Sequence, residues 1–126
     1  MLSKAPAAAT MPAVDLKRAK DFYTKKLGLK MVKEDPGPGA LFEAGKGTMI
    51  YLYQRGPSKA DHTEVSFEVE NVEAEVKELR AKGVKFEEYN MPDMGLKTVN
   101  GIAAMDGHKM AWFKDTEGNI LGITSM

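Results

Sequence analysis

The chain has 126 residues, 43% of them hydrophobic and 29% charged, and its 18 basic and 18 acidic side chains balance to a formal net charge of +0. That length and composition suit one ordinary folded domain that buries a core without cross-links, and the absence of a charge excess argues against a nucleic-acid partner or an anionic membrane surface. No cysteine is present, so a disulfide scaffold, a thiolate metal site and a cysteine nucleophile are excluded; no apolar run approaches the roughly 18 residues of a membrane span and none reads as a signal peptide, so a cytoplasmic location follows by default.

Residues 1–7 form an N-terminal arm, and a first strand is expected over Ala8–Val14. Leu16, Ala19, Phe22, Tyr23 and Leu27 then recur at helical spacing, with Asp15 placed to cap the start and Gly28 to end the helix. Strands follow over Leu29–Lys33, Ala40–Ala44 and Thr48–Gln54, punctuated by Pro36-Gly37-Pro38-Gly39 and Gly45-Lys46-Gly47. Gly45-Lys46-Gly47-Thr48 precedes a strand rather than a helix, so it is a hairpin turn and not a phosphate loop. After a connection over Arg55–Asp61, the second half opens with a strand over His62–Val69. A helix follows with Val72, Val76 and Leu79 on one face, Asn71 as its cap and Gly83 as its stop. Glu73–Lys77 and Glu78–Lys82 stand at i,i+4 spacing in the favourable order. Further strands are expected over Val84–Tyr89, Lys109–Lys114 and Asn119–Thr124, the last two joined by a turn at Thr116–Asn119. Between them Asn90–Gly107, rich in Met, Gly, Asp and Pro, reads as a long irregular connection. It is either a binding loop or lid, or a plain surface loop.

The order strand–helix–strand–strand–strand occurs twice, giving an α+β fold of two βαβββ modules within a single domain, about 8–55 and 62–125. At this level the residues resemble a known family. Asp15-Leu16 with Asp21-Phe22-Tyr23-Thr24 and Leu27-Gly28-Leu29 is similar to the first helix of glyoxalase I and its relatives. Phe113-Lys114-Asp115-Thr116-Glu117-Gly118-Asn119 resembles the family's aromatic-x-Asp-Pro-Asp-Gly-Asn turn, with Thr116 in place of proline. Glu64–Asn71 looks like the fifth strand and the entry to the second helix. The chain thus resembles the vicinal oxygen chelate superfamily (glyoxalase, bleomycin-resistance protein, extradiol dioxygenase). That resemblance implies a cup-shaped pair of half-barrels around a ligand cavity. Metal-dependent members place one ligand on each of the first, fourth, fifth and eighth strands.

Transferred position by position, the resemblance puts Ala8, Tyr51, Glu64 and Gly122 at those four places. Ala8 and Gly122 have no donor, a neutral phenol is a poor ligand for Mg²⁺ or Zn²⁺, and one carboxylate does not hold a metal tightly. The expectation is therefore no metal ligand set and no cofactor. Strand alternation then puts Met49 and Tyr53 beside Tyr51, and His62, Ser66 and Glu68 beside Glu64. The resemblance adds Met110, Trp112 and Ile120, with Thr124 beside Gly122 and His108 at the rim. No Lys or Arg is assigned to the cavity side, and Gly122 is expected to leave volume free next to Trp112.

An aromatic and methionine lining without metal suits a flat apolar or cationic small molecule. The leading expectation is a drug- or metabolite-binding protein with Met49, Tyr53, His62, Ser66, His108, Met110, Trp112, Ile120 and Gly122 as ligand contacts. Equally, these side chains could serve simply as core. A second expectation is a glyoxalase-like isomerase or lyase, with Glu64 as general base and Tyr51 as donor to a developing oxyanion. A third is a degenerate domain acting through protein contacts. Homodimer formation is expected, because single-module members of the superfamily commonly pair.

Overall fold

A computed structural model describes residues 1–125. The chain divides into two units, Met1–Ser58 and a second that begins at Lys59. In the first, β1 (Ala8–Ala13) leads into α1 (Leu16–Asp21), then β2 (Lys30–Asp35), β3 (Gly39–Glu43) and β4 (Met49–Gln54). The sheet order is β1-β4-β3-β2, with β1 parallel to β4 and the other pairs antiparallel. The Asp15 carboxylate accepts the N–H of Arg18, the capping bond expected of it. Beyond Asp21 the helix widens into a π-turn over Phe22–Lys26, with the Leu27 N–H donating to the Phe22 carbonyl. The Thr24 hydroxyl donates to the Lys20 carbonyl at 2.8 Å, back-bonding that loosens the α ladder at that turn. Leu16, Ala19 and Tyr23 are buried, as are Met11, Ala13, Ala40, Phe42, Ile50 and Leu52 of the strands, and the Tyr23 and Phe42 rings lie 5.6 Å apart. One face of this sheet is thus core.

The second unit repeats the topology. β5 (Val65–Glu68) is followed by α2 (Val72–Ala81), and the sheet order is β5-β10-β9-β8. Here β8 is Ile102–Met105, β9 is His108–Lys114 and β10 is Ile120–Thr124, with β5 parallel to β10. The Asn71 amide oxygen accepts the Ala74 N–H, capping α2. Ala111, Phe113, Leu121 and Ile123 are buried with Val72 and Val76 of the helix. The Asp115 carboxylate accepts the N–H groups of Glu117 and Asn119 and the Asn119 side-chain amide, each at 2.8 Å, which fixes the turn read at Thr116–Asn119.

Three expectations change. Val84–Tyr89 is not a strand; only Phe86 bridges to Phe113, alongside β9. The strand that completes the module is β8, inside the stretch expected to be irregular, which also holds a small hairpin of β6 (Asn90–Met91) and β7 (Leu96–Lys97). Asn100-Gly101 and Asp106-Gly107 all have positive φ, the backbone of two-residue hairpin turns, and they fold β7, β8 and β9 back on one another. Finally Glu73, expected to pair with Lys77 along the helix, bonds Lys109 of β9 at 2.5 Å, tying α2 to the sheet. Among the described residues no helix is long and apolar enough to cross a membrane.

Candidate functional site

The face of the first sheet opposite its core carries the residues singled out on β4. Ile50 and Leu52 are buried, and the alternating Met49, Tyr51 and Tyr53 are half-buried. The Tyr51 and Tyr53 rings stack at 6.4 Å with 14° between planes. The register sets Tyr53 opposite Gly39 and Gly39 opposite Asp35, so Tyr51 reaches Asp35 diagonally across the glycine. Its hydroxyl donates to Asp35 Oδ2 at 2.8 Å, and Lys33 Nζ lies 3.5 Å from the other carboxylate oxygen. A Cβ at position 39 would fall 2.0 Å from the phenol oxygen, so the bond needs a glycine beneath it. The hydrogen bond to Asp35, then burial, then the Asp35 charge push the Tyr51 phenol above its ordinary pKa. Tyr51 is therefore held neutral as a donor, the wrong state for a phenolate metal ligand.

The corresponding face of the second sheet holds Ser66 opposite Gly122 and Gly122 opposite Trp112. Met110 and Trp112 are half-buried on β9, alternating with the buried Ala111 and Phe113. The Tyr89 ring meets Trp112 edge-on, centroids 5.4 Å apart at 73°. The Glu87 N–H donates to the Trp112 carbonyl at 2.8 Å, and Lys114 Nζ lies 3.4 Å from Glu87 Oε1. Burial pushes the Tyr89 phenol up and the Glu87 charge pushes it further, while Lys114 pulls it back. Lys114 stands two residues from Trp112 and opposite Ile120, so this face does carry a cation, contrary to the expectation from sequence. The volume expected beside Gly122 is taken up as well. Ser66 Oγ, Thr63 Cγ2 and Trp112 Cδ1 stand 3.1, 3.3 and 3.4 Å from where a Cβ would be.

Glu64 precedes β5 at a bend rather than lying within a strand, and its N–H donates to the Ile120 carbonyl at 2.9 Å. Thr63 shares the Gly122 side with Ser66, three residues on, so alternation does not run through Glu64 and does not set the direction of Glu64 or His62. His62 is exposed beside Asp61, 3.7 Å away. His108 is exposed at the start of β9, its Nδ1 3.1 Å from the Ser125 carbonyl. Ile120 is buried, 8% accessible, and belongs to the packed interior more than to an open lining. Among the described residues no three His, Cys, Asp or Glu side chains gather where they could hold a metal ion. With Ala8 opposite Met49, Gly122 enclosed and Tyr51 engaged with Asp35, the residues do not fit the family's metal.

The sequence matches the model of the Glyoxalase/Bleomycin resistance protein/Dioxygenase superfamily over residues 6–123. The chain belongs to this superfamily. No curated protein sequence matches it. Solved structures of the same fold include lactoylglutathione lyase from Agrobacterium tumefaciens, at 19% identity and TM-score 0.68, covering 97% of this chain and 93% of that one. TnmS3, an antibiotic binding protein from Streptomyces sp. CB03234, matches at 20% identity and TM-score 0.65 over 97% of both chains. The fosfomycin resistance protein FosX from Listeria monocytogenes, solved with Mn(II) and sulfate, matches at 11% identity and TM-score 0.69, over 98% of this chain and 93% of that one. At such identities the likeness is one of fold, and the superfamily fold carries enzymes and binders alike.

Sequence reasoning missed Asp35, Gly39, Thr63, Glu87, Tyr89 and Lys114. Lys114 was within reach, since alternation onward from the Met110 and Trp112 that the resemblance places selects it next. Glu87 and Tyr89 fall in the span Val84–Tyr89 expected as a strand, which does not form.

Proposed function

We propose that this superfamily member is a metal-independent binding protein for a small aromatic molecule, a drug or a metabolite, working as a cytoplasmic homodimer with both modules in one domain. One observation carries the reading. On the half-exposed faces where metal-dependent relatives are expected to keep donors, this chain has aromatic pairs, Tyr51 with Tyr53 and Trp112 with Tyr89. Rings with one face uncovered offer stacking area at low entropic cost, and Met49 and Met110 adapt to irregular shapes. Ser66 supplies a hydroxyl, His62 and His108 are exposed candidate contacts, and Ile120 and Gly122 would back the site from the packed interior. The fold shared with an antibiotic binding protein supports this reading. Edge strands at β2 and β8 favour pairing with a second copy.

A second reading, an isomerase or lyase, is favoured by the half-buried Glu64 at the head of β5 and by the fold shared with lactoylglutathione lyase. There Glu64 would take a proton next to a carbonyl. Fluorescence of the lone tryptophan separates the two. A binder saturates at one equivalent without turnover, and Trp112→Ala weakens affinity by roughly 1–3 kcal/mol, measured by calorimetry. Multiple turnovers that Glu64→Gln abolishes would replace the binder with the enzyme.

A further inference from the structure

Trp112 and Tyr89 meet at a corner that carries an ion pair of its own. Lys114 follows Trp112 by two residues on the same face of β9, and Glu87 is fastened to the Trp112 carbonyl by its own N–H. The two charged groups are 3.4 Å apart. They are not equally held. The Glu87 side chain is 34% accessible and its stem is short; the Lys114 side chain is 55% accessible on four flexible carbons. The anion is thus the better fixed partner, and the ammonium the one free to swing into water.

Resting on the binding reading above, we propose that Glu87, Trp112 and Tyr89 form an ammonium subsite, in which Lys114 stands in for the positive group of an aryl-alkylammonium ligand until that ligand displaces it. A carboxylate beside two aromatic rings is a cation-recognising arrangement: the ring quadrupoles and the fixed anion attract the same charge. Lys114 brings its ammonium near enough to Tyr89 to lower that phenol's pKa against the effect of burial, which fits a cation seated in this corner. The ligand's ring system would lie on Trp112 and its ammonium would take over Glu87. Releasing Lys114 to water costs little, because exposed ion pairs contribute little net stability.

The test uses three probes with one ring and three charges: 1-naphthylmethylammonium, 1-naphthamide and 1-naphthoate, titrated into the full chain by calorimetry and Trp112 quenching. The cation binds tightest. Lys114→Met removes the resident competitor and tightens the cation several-fold. Glu87→Gln weakens the cation by about tenfold, ~1.4 kcal/mol, while the amide changes by less than about twofold. Melting curves confirm that both surface variants fold. Cation affinity unchanged or weakened by Lys114→Met overturns the proposal, as does equal weakening of cation and amide by Glu87→Gln. Saturation by all three probes without charge preference removes the ammonium subsite and leaves aromatic binding standing. Failure of all three removes both.

Discussion

The two units share one topology and treat the positions where the family's donors are expected in opposite ways. On the first sheet the expected position carries a large polar side chain, Tyr51, and the strand beside it gives up its own to make room, at Gly39. On the second sheet the expected position is itself the glycine, Gly122, and Ser66, Thr63 and Trp112 stand close over it. The helices differ likewise. α1 passes to β2 through Gly28, whose surroundings are open, whereas α2 is separated from β8 by a long segment braced at Gly101. A glycine in this protein can mark a turn, a crossing side chain or a closed gap, and substituting alanine tells these roles apart.

Gly101 carries the heaviest constraint. Its φ is +79°, and an added Cβ would lie 2.9 Å from both Arg80 Nη2 and Phe86 Cβ. The same guanidinium donates to the Asn100 carbonyl at 2.7 Å and lies 5.5 Å from the Phe86 ring centroid, and the Gly101 N–H donates to Glu88 Oε1 at 2.7 Å. Gly101→Ala adds backbone strain to overpacking, and we expect a loss of about 3 kcal/mol in urea denaturation. A loss below about 1 kcal/mol would mean that residues 84–101 are not fastened to α2 as described.

Gly39 lacks the positive φ, so the crossing phenol, with the Leu52 carbonyl 3.2 Å from an added Cβ, is what opposes a side chain there. Gly39→Ala drives Tyr51 off Asp35 with the loss of one hydrogen bond, and destabilises the fold less than Gly101→Ala. Its sharper signature is ionic. The Tyr51 pKa is raised in the folded protein, so the stabilisation is fully present below the ordinary value of 10.0 and is lost as pH rises through the higher folded value. In a spectrophotometric titration of the tyrosines, Gly39→Ala moves one phenol down toward 10.0. An unchanged titration would show that Tyr51 keeps Asp35 by another path.

Much of this was legible in the chain. The caps at Asp15 and Asn71, the stops at Gly28 and Gly83 and the Asp115–Asn119 turn each rest on local chemistry that a few neighbouring residues determine. The two-fold βαβββ order follows from them, and alternation placed Met49, Tyr51 and Tyr53 on one face because β4 is regular. What failed depended on irregularity or register. The Tyr51–Asp35 bond lies beyond a register shift between Met31 and Lys33, where counting along β2 changes face. The bend at Glu64 breaks alternation in the same way. Strand β8 is masked by the Met-, Gly- and Asp-rich composition around it, although Asn100-Gly101 and Asp106-Gly107 are strong hairpin signals.

Gly122 gives the smallest effect and the finest test of the contrast. Its backbone needs no positive φ, and the contacts of an added Cβ begin at 3.1 Å, so Ser66, Thr63 and Trp112 need yield only a few tenths of an ångström. Against that crowding stands the gain from removing a glycine inside a strand, roughly 0.5–1 kcal/mol. Two of the three neighbours are side-chain ends that can turn, Ser66 Oγ and Thr63 Cγ2, whereas Trp112 is held by Tyr89. Gly122→Ala should therefore change stability by less than about 0.5 kcal/mol while shifting the Trp112 emission, because the ring edge is the neighbour that cannot turn aside. Loss of more than about 2 kcal/mol would mean that the gap above Gly122 is closed as tightly as the packing at Gly101, and that the second sheet is core on both faces. Unchanged stability with unchanged emission would mean the gap is looser than these distances imply, leaving beside Trp112 the room that a ligand ring could enter.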